Sequence, residues 1–197
     1  RRARLVWDRA GGASLAHAYL LKKRIGAGLA RQLDGVLLLP VFDFSGTLHG
    51  LQSIDETGQK RFSSGMAKKG HFIPVSGLPD GNKPLYISEG YATSATLAEL
   101  RPGICCIAGL DAGNLQSVAT EARKRWPKLE IVVCPDFDAI GRQKAKEAAE
   151  QSRAMLLPVP AVIPPGCPDW NDWRNSPTLP HVLRLPSLDA RHYTIWR

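Results

Sequence analysis

Five carboxylate side chains follow predicted strands between residues 84 and 173 of this 197-residue chain. Glu89 closes a short apolar strand, and Asp136 and Asp138 follow another in "IVVCPDFDAIG". Asp169 and Asp172 lie in the loop "CPDWNDW", after the last predicted strand. Ligand sites in open parallel sheets form at the carboxyl ends of the strands. We therefore expect these acids to meet at one edge of a sheet.

The spacing of Asp136 and Asp138 suits a divalent cation. Residues two apart in an extended stretch point the same way, so two carboxylates can share one ion. Without a cation or protons, their mutual repulsion would be costly. Carboxylate ligands without His or Cys favour Mg²⁺ or Mn²⁺ over zinc, and such ions position phosphates and stabilise their developing charge.

For each acid taken alone, a structural role remains open. Asp138 could cap the helix that starts near Gly141, and Asp111 could cap the helix after "GLDAGN". Asp172 could form a turn. Three acidic groups on successive strand ends favour a shared site over three separate caps.

An alternation of strands and helices positions these acids. The predicted strands are 84–89, 104–108, 129–134 and 155–159, and the predicted helices between them are 92–101, 113–126 and 141–153. Apolar runs such as "LEIVVC" do not alternate with polar residues, which is typical of strands buried on both faces. The pattern predicts an α/β fold with a mainly parallel sheet and right-handed crossovers.

The sequence before residue 84 has a different pattern. Residues 12–34 have helical character, and strand-like runs follow at 36–42, 47–54 and 60–63. The turn pairs Ser45-Gly46 and Thr57-Gly58 separate these runs and predict an antiparallel meander. We therefore divide the chain into a smaller α+β lobe at 1–80, an α/β domain at 81–175 and a C-terminal extension of unclear role at 176–197.

The charge of the chain suits a polyanionic partner. The formal net charge is +8, and residues 1–35 carry eight basic against two acidic residues, an excess of six. A basic face of this kind suits nucleic acid, although a solvated surface is the alternative. No apolar run reaches the roughly 18 residues of a membrane span. The chain begins "RRARLVW" without Met, and we expect it to be a fragment of a larger protein.

The cysteines predict neither disulfides nor a zinc site. No two of the four are spaced as CxxC, and three of them lie in apolar runs. We interpret them as small buried side chains in a reducing compartment. The four are Cys105, Cys106, Cys134 and Cys167.

Six motifs in order resemble the Toprim domain, which primases, topoisomerases and some nucleases share. The similarity is greatest to the Toprim DNA primases of conjugative plasmids, phages and integrative elements. The motifs are "HAYLLKKRI" (17–25), "LLLPVFDFSGTLHGLQSIDETGQKRFSSG" (37–65), "EGYATSA" (89–95), "DAGNL" (111–115), "PDFD" (135–138) and "PDWND" (168–172).

The resemblance implies a nucleotidyltransferase that synthesises short RNA primers on a single-stranded DNA template. Glu89, Asp136 and Asp138 would be catalytic and would hold two Mg²⁺ or Mn²⁺ ions. Asp169 and Asp172 would be further metal ligands.

The resemblance also implies where substrates and partners bind. Lys23, Lys60 and Arg61 would contact nucleic acid or nucleotide phosphate, although Lys60 and Arg61 could equally form the polar face of a hairpin. The implied partners are ribonucleoside triphosphates and a helicase or other replication module, in the bacterial cytoplasm.

The chain departs from the family pattern, and other functions remain open. Phe137 replaces a third acid, the insertion that often follows these acids is missing, and no zinc-binding module precedes the core. One alternative is a metal-dependent nuclease, or topoisomerase-like strand breakage with Tyr193 as the nucleophile. The other is a non-catalytic module that binds nucleic acid.

Overall fold

A computed structural model describes residues 2–179 and contains two five-stranded sheets. The first sheet is an antiparallel meander whose strands lie in chain order. Its strands are β1 (Gly11–Gly12), β2 (Arg31–Leu33), β3 (Val36–Phe42), β4 (Leu48–Ile54) and β5 (Lys60–Phe62), and its helices are α1 (Arg2–Arg9) and α2 (Ala18–Lys23). The predicted meander is confirmed.

The helix predicted across 12–34 is largely wrong. Only Ala18–Lys23 is helical in that range, while β2 pairs with β3. The turn between them is Asp34-Gly35, whose two residues have φ values of 49° and 78°. An Asp-Gly pair with positive φ at both positions is the turn that joins antiparallel strands, and it overrides the helical pattern.

The second sheet carries the predicted α/β pattern. Its order is β10-β9-β7-β8-β6, and every pair is parallel except β6 with β8. Its strands are β6 (Ile73–Pro74), β7 (Leu85–Ser88), β8 (Cys105–Ala108), β9 (Ile131–Cys134) and β10 (Met155–Leu156). Its helices are α3 (Tyr91–Leu100), α4 (Leu115–Arg125), α5 (Ala139–Ser152) and α6 (Trp170–Arg174), with a 3-10 turn at Ala112–Asn114.

Apart from Ser88 at the end of β7, the central strands are apolar, because both of their faces are covered. Every residue of β7, β8 and β9 is buried. On one face, α4 and α5 pack closely through buried alanines. On the other face, α3 and the inner side chains of β3 share one apolar cluster with the sheet. Burial of each large apolar side chain contributes about 1.5–3 kcal/mol, so this shared core fixes the meander against the second sheet.

Backbone hydrogen bonds also join the two sheets. Phe42, at the end of β3, donates to the Phe72 carbonyl at 2.8 Å, and Phe72 donates back at 2.9 Å. β6 follows directly, so a strand from the first 80 residues becomes an edge of the second sheet. Among residues 2–179, no helix is long and apolar enough to cross a membrane. Most of the predicted extension at 176–197, with Tyr193, lies outside the described residues.

Candidate active site

Glu89 and Asp136 lie at the ends of adjacent parallel strands. β7 and β9 pair in register, with Ser88 opposite Cys134. Glu89 follows β7 directly, and Asp136 follows β9 after one proline. Both carboxylates line one cavity of about 180 Å³ between the second sheet and the meander. The strand pairing therefore brings together two acids that are 47 positions apart in the sequence.

Asp169 joins this cavity through contacts that fix its loop. It caps α6 and accepts a hydrogen bond from the Asp172 N–H at 2.8 Å. The Trp170 indole is fully buried and donates to the Pro135 carbonyl at 2.9 Å. The Phe137 N–H donates to the Pro168 carbonyl at 2.7 Å. These bonds tie the loop of Asp169 to the loop of Asp136.

The other two predicted acids occupy different positions. Asp138 is exposed and caps α5, accepting from the Gly141 N–H at 2.7 Å. A side chain on Gly141 would bring its Cβ within 3.0 Å of the Asp136 Cβ, so glycine allows this close approach. Asp172 forms an ion pair with Lys23 at 2.9 Å. Neither Asp138 nor Asp172 is among the residues that line the cavity.

Lysines from the first lobe face the acids across the cavity. Lys23 ends α2, and Lys60 begins β5; both line the cavity. Arg61 pairs with Ser53 and lies on the opposite face of β5, because successive residues of a strand point to opposite faces. The structure thus brings two of the three predicted basic residues to the acids, and Arg61 lies apart from them.

The acids repel one another strongly in the absence of a cation. Burial, and then the charges of Glu89, Asp169 and Asp138, together raise the pKa of Asp136 to about 8, and the charge of Lys60 opposes them. Burial also raises the pKa of Glu89, with contributions from Asp111 and Asp138. Although Asp138 does not line the cavity, its charge therefore acts on both catalytic candidates.

The pKa of Lys60 is shifted downward, in contrast to the raised pKa values of the acids. Burial of its amine in the cavity and the positive charge of Lys23 lower the pKa of Lys60, while the nearby acids raise it. Lys60 as a whole is an exposed residue. An anionic ligand in the cavity could therefore pair with the Lys60 amine.

Two further residues of the cavity lie outside the predicted set of site residues. Tyr19 is 4% exposed, and within residues 2–179 its hydroxyl has no hydrogen-bond partner. Gln52 is buried on the inner face of β4 and also lines the cavity. Both fall inside the quoted motifs, but a one-dimensional pattern does not show which side chains turn inward.

The donor set fits a hard divalent cation. The Asp136 Oδ1 atom is buried and lacks a hydrogen-bond partner in the described part of the chain. Carboxylate oxygens surround the cavity, and Mg²⁺ typically uses one or two carboxylates together with substrate phosphates and water. Within residues 2–179, three side chains whose metal-binding atoms lie within 4.8 Å of one another are found outside this cavity. The carboxylates of the cavity therefore line a space and do not converge on one point.

Comparison with known proteins gives a consistent set of similarities. The family model described as "Toprim domain" matches residues 84–177. A DNA primase TraC of Escherichia coli is 37% identical over 123 residues, which are 57% of this chain and 8% of that protein. A second protein of that name and organism is 35% identical over 139 residues, which are 64% of this chain and 13% of that protein. The chain therefore spans about a tenth of the length of these curated relatives.

Two solved structures share the fold at low sequence identity. The primase fragment of the bacteriophage T7 primase-helicase protein has a TM-score of 0.59 and 16% identity, and the match covers 86% of this chain and 79% of that chain. The other is a complex of bacteriophage T7 lagging-strand DNA polymerase with primase domains of two gp4 subunits bound to an RNA/DNA hybrid and dTTP. Its matching chain has a TM-score of 0.56 and 18% identity, with coverage of 83% and 84%.

Proposed function

We propose, from the premise that residues 84–177 form a Toprim domain, that this chain is the catalytic core of a DNA primase. The reaction would be template-directed synthesis of short RNA primers on single-stranded DNA. One observation carries the proposal. Glu89 and Asp136 share a cavity with two lysines from the other lobe, as a site for a triphosphate and its metal ions requires. The identity to proteins named DNA primase supports it.

The acids of the second sheet would manage protons and metal ions. In primer extension the 3′-oxygen bonds to the α-phosphorus of the incoming nucleotide, and pyrophosphate leaves. We assign Glu89 as the acceptor of the hydroxyl proton, because its raised pKa makes it a better base than an ordinary carboxylate. Its position at a rigid strand end limits movement relative to the substrate.

Two Mg²⁺ or Mn²⁺ ions fit this donor set. Glu89, Asp136 and Asp169 would hold them from the cavity wall, with Asp138 and Asp172 as the outer acids. Ions at such a site neutralise the charge of the triphosphate and stabilise the charge that develops on phosphoryl transfer. Before they bind, the raised pKa of Asp136 leaves that side chain largely protonated near neutral pH.

The basic residues would hold the substrate's phosphates. Lys23 and Lys60 both line the cavity that holds the acids, and the Lys23 amine is also paired with Asp172. They would bind a nucleotide triphosphate or the nucleic-acid backbone. Arg61, on the outer face of β5, would contact nucleic acid away from the reacting phosphate. We propose that residues 1–80 hold template and product, while residues 81–175 hold metal ions and nucleotide.

The biological setting is part of the same proposal. The partners would be single-stranded DNA, ribonucleoside triphosphates and a helicase or other replication module. The free, buried Cys105, Cys106 and Cys134 support a reducing compartment such as the bacterial cytoplasm.

A primer-synthesis assay tests the proposal against its alternatives. The protein is incubated with single-stranded DNA, four labelled ribonucleotides and Mg²⁺ or Mn²⁺. We expect short labelled RNA that disappears with Glu89→Gln and with the Asp136→Asn/Asp138→Asn pair. Metal-dependent loss of the DNA without RNA product would support the nuclease. Binding of DNA with neither product would support a non-catalytic module.

A further inference from the structure

A second group of potential metal ligands lies outside the acidic cavity. It consists of Asp43, just after β3, His49 in β4 and His71, two residues before β6. One ligand atom from each side chain lies within 4.8 Å of the other two. None of the three lines the cavity of Glu89 and Asp136. The group therefore needs an explanation of its own.

The turn after β3 fixes Asp43. Its Oδ1 atom accepts hydrogen bonds from the Ser45 N–H at 2.8 Å and the Thr47 N–H at 3.0 Å, and from the Ser45 hydroxyl at 2.6 Å. The Oδ2 atom is left to accept from His49 Nε2 at 2.8 Å. One carboxylate oxygen is thus held by the turn, and the other faces His49.

His71 is oriented as a metal-binding histidine is. Its Nδ1 atom lies 2.7 Å from the Ala67 carbonyl oxygen. A carbonyl only accepts hydrogen bonds, so Nδ1 carries a proton, and in the neutral ring Nε2 then presents a lone pair. Metal-bound histidines usually donate their other ring N–H to a carbonyl or carboxylate in this way. The His71 ring stacks on the His49 ring, with centroids 3.8 Å apart and planes at 17°.

We propose that Asp43, His49 and His71 form a second metal site, for a divalent transition ion of the zinc class. Two imidazoles with one carboxylate are a ligand set that suits Zn²⁺ and leaves a fourth position open. Mg²⁺ favours oxygen ligands and is disfavoured here. The ion would replace the proton between His49 and Asp43, and the partly exposed His49 ring would swing away from the stack to meet it.

The proposal differs from the sequence-based expectation of no zinc. That expectation rests on the cysteines, whereas this site uses no cysteine, and 22 positions separate its two histidines. Zinc motifs with short spacings are readable in a sequence, but this set is assembled only when β4 meets the segment before β6.

The location indicates what the ion would do. Asp43 and His71 flank the Phe42–Phe72 bridge, which joins the two sheets. The His71 carbonyl accepts from Asn114 Nδ2 at 2.9 Å, and Asn114 begins the helix beside the loop of Asp111. An ion here would brace the junction that sets the meander against the acidic strand ends. This structural role goes beyond the proposed function and does not rest on it.

The simpler alternative is an ion pair between His49 and Asp43 with a second ring stacked on it. The two accounts differ in zinc stoichiometry. EDTA-treated protein is titrated with Zn²⁺ by calorimetry in buffer with excess Mg²⁺, so that a Mg²⁺ site in the acidic cavity is filled before Zn²⁺ is added. We expect one equivalent to bind, and His71→Gln and His49→Gln each to weaken its affinity at least about tenfold.

Controls separate this site from the other ligands of the chain. Glu121→Gln and Cys167→Ser should bind Zn²⁺ like the wild type, because neither residue belongs to the group or lines the acidic cavity. Co²⁺ should give visible absorption in the wild type that both histidine variants lose. If circular dichroism shows that His71→Gln does not fold, His49→Gln still tests the proposal, because His49 is exposed. No stoichiometric Zn²⁺ binding, or equal affinity in both histidine variants, would overturn the proposal.

Discussion

Replacing Asp136 with asparagine should stabilise the metal-free protein at alkaline pH. In the folded chain the pKa of this carboxyl is raised from 3.8 to about 8, first by burial and then by the neighbouring acids. The folded state therefore binds a proton that the unfolded state releases. The stability from this proton is full below pH 4 and is lost progressively up to about pH 8. Asparagine does not ionise, so it avoids the loss.

The magnitude follows from the size of the shift. A change of about four units corresponds to at most about 6 kcal/mol, at about 1.36 kcal/mol per unit. Water entry and movement of neighbouring charges reduce this bound, and we expect a gain of about 1–3 kcal/mol at pH 9. For a chain of this size, that gain is a rise in melting temperature of roughly 2–12 °C.

Urea unfolding in EDTA at pH 5, 7 and 9 measures the effect. The difference between Asp136→Asn and wild type should be small at pH 5, widen to pH 8 and then level off. Asp8→Asn, an exposed acid on α1, serves as the matched control and should show no such trend. A variant less stable than wild type at pH 9 would refute the reasoning, since it would mean that the ionised carboxylate is satisfied within the fold.

Three other substitutions test separate parts of the site. Tyr19→Phe should change the free energy of unfolding by less than about 0.5 kcal/mol, because the hydroxyl has no partner within the described residues. Tyr19 lines the cavity in which we place the nucleotide, so loss of its hydroxyl should lower primer yield; an unchanged yield would show that the hydroxyl does not act on the substrate. Lys60→Met should raise the pKa of Asp136 further and raise the KM for ribonucleotides; a lower KM would contradict phosphate binding. Asn171→Ala removes hydrogen bonds to the Lys23 carbonyl and the Thr96 hydroxyl. A denaturant titration should show a free energy of unfolding lower by about 1–3 kcal/mol. An unchanged value would show that the hydrogen bond between α6 and the end of α2 does not stabilise the fold.

The parallel sheet could be predicted because its pattern is local. Runs such as 131–134 are apolar without alternation, and turns and helices separate them at regular intervals. Strand ends of a parallel sheet share an edge, so the meeting of Glu89 and Asp136 follows from the order of elements alone. No such rule places Asp169, whose position depends on the buried Trp170 and its bond to Pro135.

Features that depend on tertiary pairing could not be predicted. β2 forms because β3 offers a partner across the Asp34-Gly35 turn, while its residues alone favour a helix. α1 has only eight residues, which is shorter than the window of about 11–18 residues over which a helical apolar period can be recognised. The β4–β5 register decides that Lys60 faces the cavity and Arg61 faces away from it, and the sequence does not specify this register.

The most direct test of the account is addition of one ribonucleotide to an RNA primer annealed to a DNA template. It isolates the chemical step from template search and initiation. Glu89→Gln should lower the rate of addition by at least about 100-fold, as expected on loss of a catalytic base, with little change in DNA binding. Glu121→Gln, an exposed acid on α4, should match the wild type. If Glu89→Gln extended the primer at the wild-type rate, the central claim that this strand-end carboxylate carries the reaction would be wrong.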